Sequence, residues 1–137
     1  MYLIDTVALS ELRKRSPDRN VAGWFERVDA ADLFLSVVTI GEVVRGIEGV
    51  RRRDPGFAER LDTWIDTVVD QFSDRILPAT LPILRRWGRL SAALGRSDAD
   101  LLIAATAIEH DLKVVTRNVA HFTSTGAAAI NPFEASR

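Results

Sequence analysis

Short apolar runs alternate along this chain with longer stretches of helical period, and that alternation constrains the fold more than any other feature. "YLID" (2–5), "LFLSVV" (33–38), "RILPA" (75–79) and "KVVT" (113–116) have the length of strands, and "AAAIN" (127–131) reads as a last one. Between them the sequence predicts helices over 6–14, 21–28 and 40–49, and over 56–72, where Phe57, Leu61, Trp64, Ile65, Val68, Val69 and Phe72 form one broad stripe. A further helix over 81–94 has Thr80 placed as its N-cap and Gly95 as its stop. "DLLIAATAIEH" (100–110) is apolar almost all round and calls for burial on every side. Strands alternating with helices in this way predict an α/β fold, a three-layer α/β/α sandwich whose short central parallel sheet is covered on both faces. Pro and Gly punctuate the chain at "SPDR" (16–19) and "RRRDPG" (51–56), neither of which resembles a domain linker. The 137 residues suit one domain.

Composition removes several chemistries. The chain has no cysteine, which excludes disulfides, thiolate zinc sites and a cysteine nucleophile. It has no phosphate-binding G-x-x-x-x-G-K-[ST] loop, no G-x-G-x-x-G and no G-x-S-x-G elbow. His110 and His121 have no acid at a zinc-motif spacing and read as ordinary polar positions. Asp5 interrupts the opening apolar run, so no signal peptide is read there, and no apolar stretch approaches the ~18 residues that span a bilayer. A soluble, cytoplasmic protein is expected. The net charge of −1 gives no overall attraction for a polyanion. Basic residues cluster at Arg13, Lys14, Arg15, at Arg51, Arg52, Arg53 and at Arg85, Arg86, Arg89. Arginine forks match phosphate, but such clusters read first as solvated helix faces.

The acids are more informative. Asp5 ends the first strand, Glu42 lies in the first turn of the helix after the second, and Asp100 lies in the first turn of the buried helix with Asp98 two residues before it. Asn118 follows "KVVT". In a doubly wound sheet such strand-to-helix transitions face one edge, where ligands bind. Each acid has a capping explanation as well: Asp5 as an N-cap, Thr39 with Glu42 as a capping box, and Ser97 as a cap with Asp98 and Asp100 favoured by the helix dipole. Yet a buried helix that opens on two acids needs something positive against it. An oxygen-rich cluster favours a hard cation, Mg2+ or Mn2+, over zinc.

Four motifs occur in order across nearly the whole chain: "YLIDTVALSEL", "SVVTIGEVVRGIE", "DADLLIAATAIEHDLKVVTRNVAHF" and "INPF". With them the chain resembles the PIN-domain ribonucleases, in particular the VapC toxins of the FitB-like subgroup. The resemblance implies a single PIN domain over 1–137 and a magnesium-dependent endoribonuclease, the toxin of a type II toxin–antitoxin pair. It implies a homodimer and a VapB-type antitoxin whose C-terminal segment blocks the acidic pocket, often with an arginine. Asp5, Glu42 and Asp100 match the family's three core acids, with Asp5 and Asp100 as direct metal ligands and Glu42 as a ligand through water or a base. The fourth catalytic position falls on Asn118, where many members carry Asp, and Val7 stands where Asn is commoner. Thr6 and Thr116 are placed to hydrogen-bond the site or the phosphate, or to serve as cap and strand-end residues. The neutral Asn118 keeps open a PIN-like module that binds RNA or protein without cutting. A phosphatase or receiver-type switch fits poorly, because "IDTVAL" supplies no second acid after the first strand.

Overall fold

The computed structural model describes residues 1–135. The elements run β1 (Tyr2–Ile4), α1 (Thr6–Leu12), α2 (Arg19–Arg27), a 3-10 turn (Ala30–Asp32), β2 (Leu33–Ser36), α3 (Val37–Arg51), α4 (Pro55–Gln71), β3 (Ile76–Leu77), α5 (Leu81–Leu94), α6 (Ala99–Glu109), β4 (Lys113–Val115), α7 (Val119–Thr123) and β5 (Ala129–Ile130). The five strands form one parallel sheet in the order β3-β2-β1-β4-β5, with Tyr2 beside Leu33 and Ile4 beside Val115.

Side chains alternate across each strand and divide the core in two. Ile4, Leu33, Leu35 and Val115 meet α1, α3 and α4 on one face, where Val43, Ile47, Ala58, Ile65 and Val68 are buried. Leu3 and Val114 meet α6 and α7 on the other, against Ile103, Ala104, Ala107 and Phe122. The helix that is apolar all round is indeed enclosed: Leu101, Ile103, Ala104, Ala105, Thr106 and Ala107 of α6 are buried. Alanines on that helix leave room for α5 to pack on its far side, with Ile83 buried and Arg86 Nε 2.6 Å from Glu109 Oε1. Among the described residues no helix is long and apolar enough to cross a membrane.

The expected strand at 33–38 stops at Ser36. Its hydroxyl accepts the Val38 amide at 3.1 Å, so the β-branched run Val37–Thr39 becomes the first turn of α3 despite its strand propensity. The proposed capping box therefore does not form. Thr39 lies inside the helix, fully buried, its Oγ1 without a partner among the described residues. Ser97 likewise lies outside α6, whose N-cap is Asp98. Helix α1 ends two residues earlier than expected, and Asp18 starts α2 by accepting the Asn20 and Val21 amides. The short helix α7 has no counterpart in the sequence pattern. Burial of Phe122 pins it to the sheet, a contribution of ~2 to 3 kcal/mol for a fully enclosed aromatic.

Candidate active site

The strand order reverses between β1 and β4: the chain leaves β1 toward β2 and β3 on one side, while β4 and β5 lie on the other. The crevice beyond the carboxyl ends of these two central strands is the switch point of the sheet. Asp5 stands there. Its amide donates to Val115 O at 3.0 Å, and its carboxylate accepts the Ala8 amide at 2.8 Å, capping α1. Capping and site placement are thus one position. The side chain is buried, and that burial is the main reason its pKa is raised to about 6; the negative charges of Asp100 and Glu42 add to the rise, while the Thr116 hydroxyl and the Ala8 amide oppose it.

Because α3 starts at Val37 rather than Ile40, Glu42 reaches the same crevice from the second turn of the helix and not the expected first, and it accepts the Thr6 hydroxyl at 2.7 Å. Asp100, in the first turn of α6, is half-buried. Burial raises its pKa, helped by Glu42 and Asp98 and opposed by His121 and Arg96. The expected trio Asp5, Glu42 and Asp100 is therefore close enough for its charges to couple. Among the described residues no lysine, arginine or histidine lies within 4.0 Å of the carboxylates of Asp5 or Glu42.

The second side of the crevice is different. Asp98 makes no capping hydrogen bond; its carboxylate is held by Arg96, through Nε at 2.7 Å and a terminal nitrogen at 3.0 Å. That hydrogen-bonded guanidinium draws the Asp98 pKa down to about 2. The same terminal nitrogen lies 2.6 Å from His121 Nε2, and the other one donates to His121 O at 3.2 Å. His121 Nε2 is also 3.2 Å from Asp100 Oδ2 and 3.6 Å from Asp98 Oδ1. The nitrogen can serve Arg96 as an acceptor or Asp100 as a donor, one at a time.

The sequence reads His121 as an ordinary polar position; the structure corrects this, setting its imidazole against Asp100 and Arg96, and Arg96 carries no signal of its own. The only signal available was the "VTRN" run ahead of position 121; without α7 nothing brings the imidazole back to the site. Asn118 caps α7 from the exposed rim, its amide N–H donating to Thr116 Oγ1 at 3.0 Å and its side chain making no cap bond. Asp98, Asp100 and His121 each offer a ligand atom within 4.8 Å of the others. Arg96 already engages two of these three, which leaves Asp100. Asp5, Glu42 and Asp100 couple through space but are not among the described residues whose ligand atoms converge within 4.8 Å; they supply oxygen donors beside a buried carboxylate that has no cation next to it, the donor type a divalent cation prefers.

A family model described as the PIN domain matches residues 2–126. The chain belongs to the PIN domain family. Similar proteins include the VapC ribonuclease Y4jK of Sinorhizobium fredii, 34% identical with 98% of this chain and 99% of the relative covered. Toxin FitB of Neisseria gonorrhoeae is 29% identical over 97% of this chain and 99% of its own. The solved structure of FitAcB from Neisseria gonorrhoeae superposes with a TM-score of 0.80 at 30% identity, covering 98% of this chain and 100% of the other. The PIN match thus takes in all five acidic or amide positions described above, from Asp5 to Asn118.

Proposed function

We propose that this chain is the toxin of a type II toxin–antitoxin pair, a magnesium-dependent endoribonuclease that hydrolyses RNA phosphodiester bonds in the cytoplasm. The observation that carries the reading is the buried carboxylate of Asp5 at the switch point, coupled electrostatically to Glu42 and Asp100 and with no cation beside it. The relatives named a VapC ribonuclease and a toxin supply the substrate class and the biological role. A VapB-type antitoxin and a homodimeric toxin complete the reading.

Asp5 and Asp100 would hold the ion, with Glu42 beside them. A bound magnesium ion supplies a Lewis acid for the phosphoryl oxygen and lowers the pKa of a ligated water. Glu42, oriented by the Thr6 hydroxyl, takes the proton from the attacking water. Asp5 is fixed from two sides, by the Ala8 amide and by the backbone pairing of its own N–H with Val115, so its carboxylate needs little reorganisation to act. Asn118 offers an amide at the rim in place of a fourth charge, which favours one ion over two. His121 stands against Asp100 and limits its rotation. The test is incubation of the purified, antitoxin-free chain with single-stranded RNA in magnesium or in EDTA. Cleavage in magnesium alone, absent from the Asp5→Asn variant, is the expected result. RNA bound but never cut would instead support a non-cleaving module.

A further inference from the structure

Next to the acid crevice, an open groove of about 260 Å³ runs along α1 and is lined by Thr6, Val7, Ser10, Glu11, Arg13, Lys14 and Arg117. Its one acid is already committed. Glu11 is held by Lys14 Nζ at 2.6 Å and by the Asp18 amide at 3.0 Å, which also neutralises the lysine. Arg13 and Arg117 remain, both exposed, and neither makes a side-chain hydrogen bond or ion pair among the described residues. Each rests on an aromatic ring: Arg117 lies 3.8 Å over Phe133 and Arg13 5.7 Å over Phe57. Stacking leaves the edge of a guanidinium free to bond a partner and holds its plane before the partner arrives. Arg117 follows Thr116, whose hydroxyl acts on Asp5, and Thr6 at the other end bonds Glu42. Arg13 also lines a second groove that reaches Thr6 and Glu42.

We infer that Arg13 and Arg117 form a phosphate-binding track that seats the RNA strand beside the acid crevice. This rests on the ribonuclease reading and names how that site takes its substrate. The crevice itself is acidic and the chain carries a net charge of −1, so a polyanion has no general attraction to it. Two aromatic-backed guanidinium groups at the crevice edge, neither in a side-chain hydrogen bond or ion pair among the described residues and Arg117 only weakly offset by Glu11, supply attraction where it is needed. Forks of this kind bind phosphate oxygens without reading sequence.

The experiment measures binding of a fluorescein-labelled single-stranded RNA by polarisation in calcium, from 50 to 200 mM salt, and steady-state cleavage in magnesium. It compares wild type, Arg13→Ala/Arg117→Ala and, as a remote control, Arg89→Ala on α5. Two single-strand phosphate contacts contribute ~1.4 to the slope of log affinity against log salt. Wild-type affinity should therefore fall about sevenfold more than that of the double variant across this range. In cleavage, KM should rise several-fold with kcat unchanged, and Arg117→Lys should keep the salt slope. Thermal melts verify that the double variant is folded. A double variant with wild-type slope and KM overturns the track, as does an equal loss in Arg89→Ala, which would show a mere net-charge effect. Wild type that binds with an arginine-dependent slope but never cuts overturns the nuclease reading and leaves the track standing.

Discussion

Asp5 and Asp98 occupy equivalent places, each the N-cap residue of a helix at the carboxyl edge of the sheet, yet the fold drives their acidities in opposite directions. Asp5 is raised to about 6, chiefly by burial; Asp98 is lowered to about 2, chiefly by the Arg96 guanidinium. The difference is whether the protein brings its own cation. Where Arg96 is present the carboxylate is stable as it stands, and where no cation is present the fold keeps an acid that an outside ion can satisfy. One crevice thus holds a compensated half and an uncompensated half, and the uncompensated half is the one suited to metal chemistry.

Neutralising each half in turn should give opposite results. For Asp5, a folded pKa above the unfolded value means that its favourable contribution is present below about pH 4 and is lost as pH rises through about 6. Asp5→Asn removes that loss and still caps α1. It should raise stability at pH 8 by ~2 to 3 kcal/mol, leave it nearly unchanged at pH 4, and reduce cleavage to background. Chemical denaturation at the two pH values measures the difference. For Asp98 the sign reverses: its contribution is present above about pH 4 and is lost as pH falls through about 2. Arg96→Ala should therefore destabilise the protein at pH 7, by ~1 kcal/mol or less because the pair is partly exposed. It should also free Asp98 and His121, so that calorimetric titration with Mn2+ finds one ion more per chain than in wild type.

Asn118→Asp tests the rim, with a smaller effect because the position is exposed. Added negative charge should lower the melting temperature in EDTA and enlarge the rise that magnesium produces through binding linkage. The smallest contrast lies within α3. Ser36→Ala removes the observed cap and should cost ~1 kcal/mol. Thr39→Val should be neutral or stabilising, since it removes a buried hydroxyl that has no partner among the described residues.

The sequence was most legible where the signals are local. Helix α5 has the predicted bounds, because Thr80 and Gly95 mark its ends and Gly95 takes up a left-handed φ of 65°. The parallel sheet followed from strand and helix alternation, and Asp5 from a short apolar run ending in an acid. Val37 and Val38 read as strand because β-branched residues favour it, which shifts the expected cap to Thr39, whereas the cap is Ser36. Five residues of α7 carry too little periodicity to detect, and with α7 hidden neither His121 nor its contact with Arg96, 25 positions earlier, could be read. The compensated half of the crevice is made of such long-range contacts. The uncompensated half consists of strand-end and helix-start positions, which is why it was visible.

On this reading Asp5 is the acid that an outside cation satisfies. Calorimetric titration of magnesium into wild type and Asp5→Asn at pH 5 and pH 8 addresses it directly. A proton competing at a group of pKa about 6 should weaken wild-type binding about tenfold at pH 5 relative to pH 8. Asp5→Asn should bind weakly at both. If Asp5→Asn instead binds magnesium as wild type does, with the same pH dependence, Asp5 is a helix cap and the ion belongs elsewhere.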